Sequence, residues 1–255
     1  MPQSNTAGQF HSALPEAHRA PAGPRLAAVP RDKVRNQCLP LAATATAAAG
    51  LEALFGSPRR LARREVLYRS GDTFSALHLV RIGSLKSVAL VDDGREHITG
   101  YAMAGDIVGL EGLGNAAHSC DVVALEDSEV SVLPLAHLDQ VTRDPAMLQV
   151  LFQRLSSELQ RGHELSVLLG SLRAEERVAA FLLDLARRHR LRGDPAGDLV
   201  LRMTREEIAS YLGLKLETVS RLFSRFQEDR LIEVQQKHVR IVDIPGLQQL
   251  LSALH

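Results

Sequence analysis

The chain has 255 residues, of which 45% are hydrophobic, none is Trp, and the formal net charge is zero. That supplies globular cores for one or two domains, and no stretch approaches the roughly 20 apolar residues of a membrane span. Two cysteines, Cys38 and Cys120, exclude a disulfide framework, and no basic-then-apolar leader opens the chain, so a cytoplasmic location is expected. The neutral total hides a division, because residues 51–171 carry 11 Lys and Arg against 16 Asp and Glu, whereas residues 172–255 carry 14 against 12.

Residues 1–37 are rich in Ala, Pro and Ser without periodicity and read as a flexible lead. "LAATATAAAGLEALF" (41–55) favours helix through Ala and Leu, against which Gly50 and the Thr residues count. From Glu65 short apolar runs are punctuated by Gly71, Gly83, Gly94 and Gly105, spaced 12, 11 and 11 apart. Turn signals at that interval predict an antiparallel β-roll over 38–142, with "VDDGRE" (91–96) as a hairpin tip. From about Arg143 the period becomes helical. Leu148, Phe152, Leu155, Leu159, Gly162, Ser166 and Leu169 recur in steps of 4 and 3, a coiled-coil type of seam that predicts a dimerisation helix over 143–171. A helix packed on its own barrel is the alternative.

Residues 172–255 read as a winged helix-turn-helix, which makes the predicted fold α+β. "AEERVAAFLLDLARRHR" (174–190) is an amphipathic helix, "GDPAG" (193–197) a loop and "DLVLRM" (198–203) a strand. "TREE" (204–207) is a capping box that opens a short helix to Leu212. Gly213 breaks it, suiting positive φ, and a second helix runs from Leu216 to Glu228. Ala209, Gly213 and Val219 have the spacing of two helices crossing through a tight turn. No Ser, Thr, Asp or Asn caps that second helix. "LIEVQQKHVRIVD" (231–243) adds two short strands, a wing. On the second helix Leu216, Val219, Leu222, Phe223 and Phe226 form an apolar stripe, and Glu217, Ser220 and Arg221 share the opposite face. In a major groove Arg221 can give two hydrogen bonds to a guanine, Glu217 can accept from a base amino group, and Ser220 can reach base or phosphate. Lys215 and Arg225 would grip phosphates. The alternative is a solvated face with a Glu217–Arg221 ion pair.

"MTREEIASYLGLKLETVSRLFSRFQEDRLIEV", "GSLKSVALVDDGREHITGYAMAGDIVGLEGLG" and "AEERVAAFLLDL" resemble the CRP/FNR family of bacterial transcription regulators, in its FNR-like branch, over roughly residues 38–245. The resemblance implies a cyclic-nucleotide-binding-like β-roll, a homodimer, and reading of a palindrome of TTGAT-type half-sites by the E-x-x-S-R residues Glu217, Ser220 and Arg221. It implies that Leu90, Val91, Asp92, Asp93, Gly94 and Arg95 form a loop that contacts RNA polymerase. It also implies regulation by oxygen, redox or nitric oxide status.

Two departures bear on the signal. The branch's [4Fe–4S] cluster takes four cysteines; Cys38 matches one of them, Val29 and Asp32 stand at two others, and Ser131 falls at or near the fourth. This argues against a four-cysteine cluster. Leu110 and His118 stand where cyclic AMP would meet a Glu and an Arg, which argues against that ligand. Cys38 and Cys120 as a redox or metal pair, and haem on one of ten scattered histidines, stay open as sensors. No nucleophile elbow, P-loop or H-E-x-x-H is present, so no enzymatic activity is expected. The competing reading of the whole chain is a ligand- or partner-binding sensor module whose C-terminal helices make protein contacts.

Overall fold

The computed structural model describes residues 41–90, 94–193 and 197–252. The expected lead at 1–37, Cys38, and Val91, Asp92 and Asp93 of the expected polymerase loop lie outside the described residues. No helix among those described is long and apolar enough to cross a membrane.

α1 (Leu41–Ala53) forms as its Ala and Leu content predicts. Gly50 has a packing reason: a Cβ there would stand 2.9 Å from Met147 Cε, so its absence lets α1 lie close against the long helix that follows the roll. The roll is two four-stranded antiparallel sheets. One holds β1 (Arg59–Leu61), β8 (Ser128–Pro134), β3 (Ala76–Ile82) and β6 (Ile107–Val108). The other holds β2 (Val66–Tyr68), β7 (Asp121–Ala124), β4 (Ser84–Leu90) and β5 (Glu96–Met103). The four glycines at 71, 83, 94 and 105 all have positive φ, the turn conformation their spacing predicts. β4 and β5 pair antiparallel out to Leu90 opposite Glu96. Between the sheets Leu61, Val80, Leu85, Val122 and Val130 are almost fully buried.

α2 (Leu138–Arg143) leads into α3 (Pro145–Ser171). Asp144 caps α3 by accepting from the Ala146 and Met147 amides at 2.8 and 3.2 Å, and Pro145 starts it where a missing N–H costs nothing. Val150 and Leu151 on its first turns join Leu51, Leu77 and Leu133 in a core shared with α1 and the roll.

After a two-residue break comes α4 (Ala174–Leu191), then β9 (Asp198–Val200), α5 (Arg205–Leu212), α6 (Leu216–Glu228), β10 (Ile232–Gln235), β11 (His238–Ile241) and α7 (Ile244–Ser252). β9 is half the length of the strand expected at 198–203. Beyond Val200 the chain peels off, and the Leu201 amide donates to the Lys237 carbonyl at 2.8 Å. The β10–β11 hairpin with β9 is the wing sheet. The core of this C-terminal half takes in Met103 and Leu125 of the roll, so the two halves are joined by shared burial.

Candidate nucleic-acid interface

The two helices that would face DNA are set by the signals the sequence carries. The Glu207 amide donates to Thr204 Oγ1 at 3.1 Å and the Thr204 amide to Glu207 Oε2 at 2.7 Å, which closes the capping box. Gly213 ends α5 at φ +60°, and the Leu214 amide reaches back to the Ala209 carbonyl at 2.9 Å. A Cβ on Gly213 would also sit 3.3 Å from Leu169 Cδ2, so the turn is closed by α3 as well as by φ. α6 starts after Lys215 without a side-chain cap.

Ile208, Ala209 and Leu212 of α5 pack on Val219, Phe223 and Phe226 of α6 in the C-terminal core. The expected apolar stripe needs one correction. Leu216 is 42% exposed, because it sits in the first turn of α6, ahead of the point where the two helices cross. Arg205 lies flat on the Phe223 ring, 3.4 Å from its centroid, and burial lowers its guanidinium to about 10, which still leaves it charged at neutral pH.

Glu217, Ser220 and Arg221 are all exposed on the face of α6 away from that core. Arg221 Nε donates to the Glu217 backbone carbonyl at 3.3 Å, and the two side chains form no ion pair. The guanidinium fork is therefore not taken up by a carboxylate. Lys215 is exposed beside them. Arg225, expected to grip a phosphate, is exposed and ion-paired within the chain. Its Nη1 lies 3.1 Å from Glu175 of α4 and its Nε 3.6 Å from Asp229, so it ties α6 to α4. The sequence hid this because Glu175 is 50 residues away.

Sequence reasoning also missed Arg177. Its guanidinium donates to the carbonyls of Leu169 (2.7 Å), Leu172 (2.9 Å) and Leu212 (3.1 Å). One cation thus closes the unsatisfied C-terminal ends of both α3 and α5. No local motif announces it. Lys237, exposed at the wing tip beside Gln236 at φ +56°, was likewise absorbed into a polar turn.

The expected seam divides. Phe152 and Leu159 are 56% and 66% exposed, with Gly162 and Ser166 open between turns, and Val167, which the seam pattern omitted, is 61% exposed. Leu148 is half-buried. Leu155 turns onto the core of α1 and the roll, and Leu169 meets the α5–α6 turn. One side of this helix packs on its own chain and the other stands uncovered. Of the residues expected to contact polymerase, Leu90, Gly94 and Arg95 are described and exposed.

The residues at the expected cofactor positions that the structure describes lie inside the roll. His118 is buried, its ring stacks on Tyr68 with centroids 3.6 Å apart, Phe74 meets it edge-on, and its Nδ1 lies 2.9 Å from Glu111 Oε1. Leu110 is buried in the adjoining turn. A cyclic nucleotide needs a free cation for its phosphate there, and the nearest candidate is already stacked and bonded, so the residues present do not fit it. Ser131 is fully buried and accepts from Arg81 Nε at 3.0 Å, and burial pushes the Cys120 thiol up to about 12. A serine bonded to an arginine offers no thiolate at the fourth ligand position of a [4Fe–4S] cluster, and no group of three metal-ligating side chains occurs among the described residues. Burial, then His118, then Arg59 lower His78 to about 4, which keeps its imidazole neutral, and its Nδ1 is buried without a hydrogen-bond partner among the described residues.

A β-roll feeding a long helix and a winged helix-turn-helix with an exposed polar face defines a DNA-binding transcription regulator. Residues 58–144 match the cyclic nucleotide-binding domain family and residues 176–250 the Crp-like helix-turn-helix domain family. The transcriptional regulatory protein btr of Bordetella pertussis is 42% identical over 235 residues, 92% of this chain and 97% of that protein. The fumarate and nitrate reduction regulatory protein of Escherichia coli is 34% identical over 218 residues, 85% and 87% of the two chains. Among solved structures, FixK2 of Bradyrhizobium japonicum superposes with a TM-score of 0.70 at 28% identity, covering 76% of this chain and 96% of that one. The chain belongs to the CRP/FNR family, and its relatives are transcription regulators, not enzymes.

Proposed function

We propose that the protein is a homodimeric regulator that reads a palindrome of TTGAT-like half-sites with Glu217, Ser220 and Arg221, one α6 per half-site. The observation that carries this reading is the unpaired Arg221 fork, exposed beside Glu217 and Ser220 on a helix whose opposite face is buried. Bidentate donation to guanine O6 and N7 is the use such a fork suits best. Lys215, and Lys237 from the wing tip, hold flanking phosphates. The uncovered Phe152, Leu159 and Val167 stripe pairs two copies through α3. The 90–95 loop contacts RNA polymerase.

The relative named for fumarate and nitrate reduction supports regulation by oxygen, redox or nitric oxide status as the setting. The receptor chemistry would then differ from a four-cysteine cluster, because Ser131 stands at or near the fourth ligand position and is bonded to Arg81.

The test is a gel shift on palindromic and scrambled duplexes across a salt series. Wild type is expected to bind the palindrome with affinity falling steeply with salt. Arg221→Ala should cost about 1–3 kcal/mol and relax one base position. Equal binding of both proteins to both duplexes, or salt-independent binding, overturns the reading.

A further inference from the structure

The roll, α3 and α4 frame an open cavity of about 340 Å³ at their junction, distinct from the buried His118 cluster and from α6. Its walls are unusually cationic. Arg154 and Arg161, seven residues apart on one face of α3, Arg187 and Arg188 of α4, and Arg192 just beyond its end line it, against Asp106 of the roll and Glu164.

The pairing leaves positive charge over. Arg161 is held by Glu158 and Arg187 by Asp184 at 2.7 Å. Asp106, itself 8% exposed, then serves both Arg188 Nη2 (2.6 Å) and Arg192 Nη2 (3.2 Å), with Arg161 at 3.8 Å. Arg188 and Arg192 have no second carboxylate and finish on the carbonyls of Tyr101 and Ala104. Arg154 has no hydrogen bond or ion pair among the described residues. Glu164 is exposed at the rim. Burial lowers the Arg192 guanidinium, Asp106 opposes this, and Arg188 adds to the lowering.

We infer that this cavity is a binding site for a small phosphate-bearing molecule of up to about mononucleotide size, with Arg154 as its free anion handle. The volume lies at the lower end of ligand pockets, and planar guanidinium forks are the groups that hold phosphate oxygens in pairs. Ile107, Leu110 and Leu191 give one apolar wall on which a base could rest. The exposed stripe of Phe152 and Leu159 lies on the other side of α3, so pairing of two copies leaves the cavity open. A ligand here would touch the roll, α3 and α4 at once, where the DNA-reading half joins the rest.

The experiment is calorimetric titration of the full chain, without DNA, with AMP, inorganic phosphate and adenosine. AMP is expected to bind and adenosine not. Phosphate matching AMP assigns the site to a bare phosphoryl group, and tighter AMP assigns it to nucleotides. Arg154→Ala should weaken AMP by about tenfold or more, the worth of one charge-assisted hydrogen bond. Gln160→Glu, which adds a carboxylate at the cavity wall, should weaken it too. Arg190→Ala, exposed on α4 outside the cavity, should not. The inference is overturned by no heat from AMP or phosphate at millimolar concentration, by adenosine binding as well as AMP, or by Arg154→Ala and Arg190→Ala behaving alike. Because DNA is absent, failure here leaves the base-reading proposal standing.

Discussion

Lys86 of β4 and Glu207 of α5 meet ammonium to carboxylate at 2.8 Å, with only 16% and 21% of their side chains exposed. The same Glu207 closes the capping box of α5, and next to it the Ile98 amide donates to Ser210 Oγ at 3.1 Å. The first helix of the DNA-reading pair is thus bonded to the roll through its own cap. Lys86→Ala should cost about 1–2 kcal/mol, because it leaves a half-buried carboxylate with only the Thr204 amide. Hydrogen exchange should speed up along α5 more than within the roll. Unchanged exchange there would mean that the contact does not hold the two halves together.

The same pair sets a pH dependence. Burial raises the Glu207 carboxyl, but Lys86 and the Thr204 amide outweigh it and hold the group below its ordinary value of 4.5. A depressed carboxylate contributes stability that is fully present above the unfolded value and is lost as pH falls through the folded one. Glu207→Gln should therefore melt below wild type at pH 7. The gap should narrow as pH drops below about 4.5, read from melting temperatures across pH 3 to 8.

Exposure separates the two sides of α3. Leu159→Glu, at a site 66% exposed, should leave the monomer's stability within about 0.5 kcal/mol while shifting sedimentation from dimer to monomer and weakening palindrome binding. Leu155→Ala should instead lower stability, because Leu155 packs on the core of α1 and the roll. A Leu159→Glu protein that still sediments as a dimer would place the interface elsewhere.

Much of this was legible in one sequence, because the signals were local. Thr204, Glu207 and Gly213 lie within ten residues and fix a helix, a turn and the start of the next helix, so the E-x-x-S-R face was placed by chain-local chemistry. The glycine spacing likewise marked the turns of the roll. What could not be read was pairing across the chain. Arg225 looked free until Glu175 was found beside it, Leu155 looked like seam until α1 came to cover it, and the three carbonyls on Arg177 come from the ends of two helices about 40 residues apart. Periodicity tells which face of a helix is apolar but not which neighbour covers it.

The position of Arg225 yields a comparison within α6. Lys215 is exposed before the first turn, whereas Arg225 is bound to Glu175 and Asp229. If only Lys215 releases a phosphate counterion, Lys215→Ala should reduce the slope of log affinity against log salt by about 1, and Arg225→Ala by clearly less. The exposed Arg225 pairs are worth at most about 1 kcal/mol, so that variant stays folded for the measurement. Equal slope changes would mean that DNA draws Arg225 away from Glu175.

Inside the roll, Tyr68 is 7% exposed and its buried hydroxyl makes no well-formed hydrogen bond among the described residues, although the Glu111 carboxylate and the Gly109 backbone stand near it, while its ring stacks on His118. Tyr68→Phe removes only the unsatisfied oxygen and keeps the stack, so it should leave stability unchanged or raise it by about 1 kcal/mol. His118→Ala does the opposite. It strips Glu111 of its ring partner at 2.9 Å, removes the stack and opens a void, and should cost about 2–4 kcal/mol. Urea midpoints at constant slope measure both. A Tyr68→Phe protein that loses more than about 1 kcal/mol would show that the hydroxyl is satisfied in solution, with a buried water as the simplest bridge to a second polar group. The unpartnered His78 Nδ1 is the group such a water would then reach, since the Tyr68 and His78 rings lie only 5.7 Å apart.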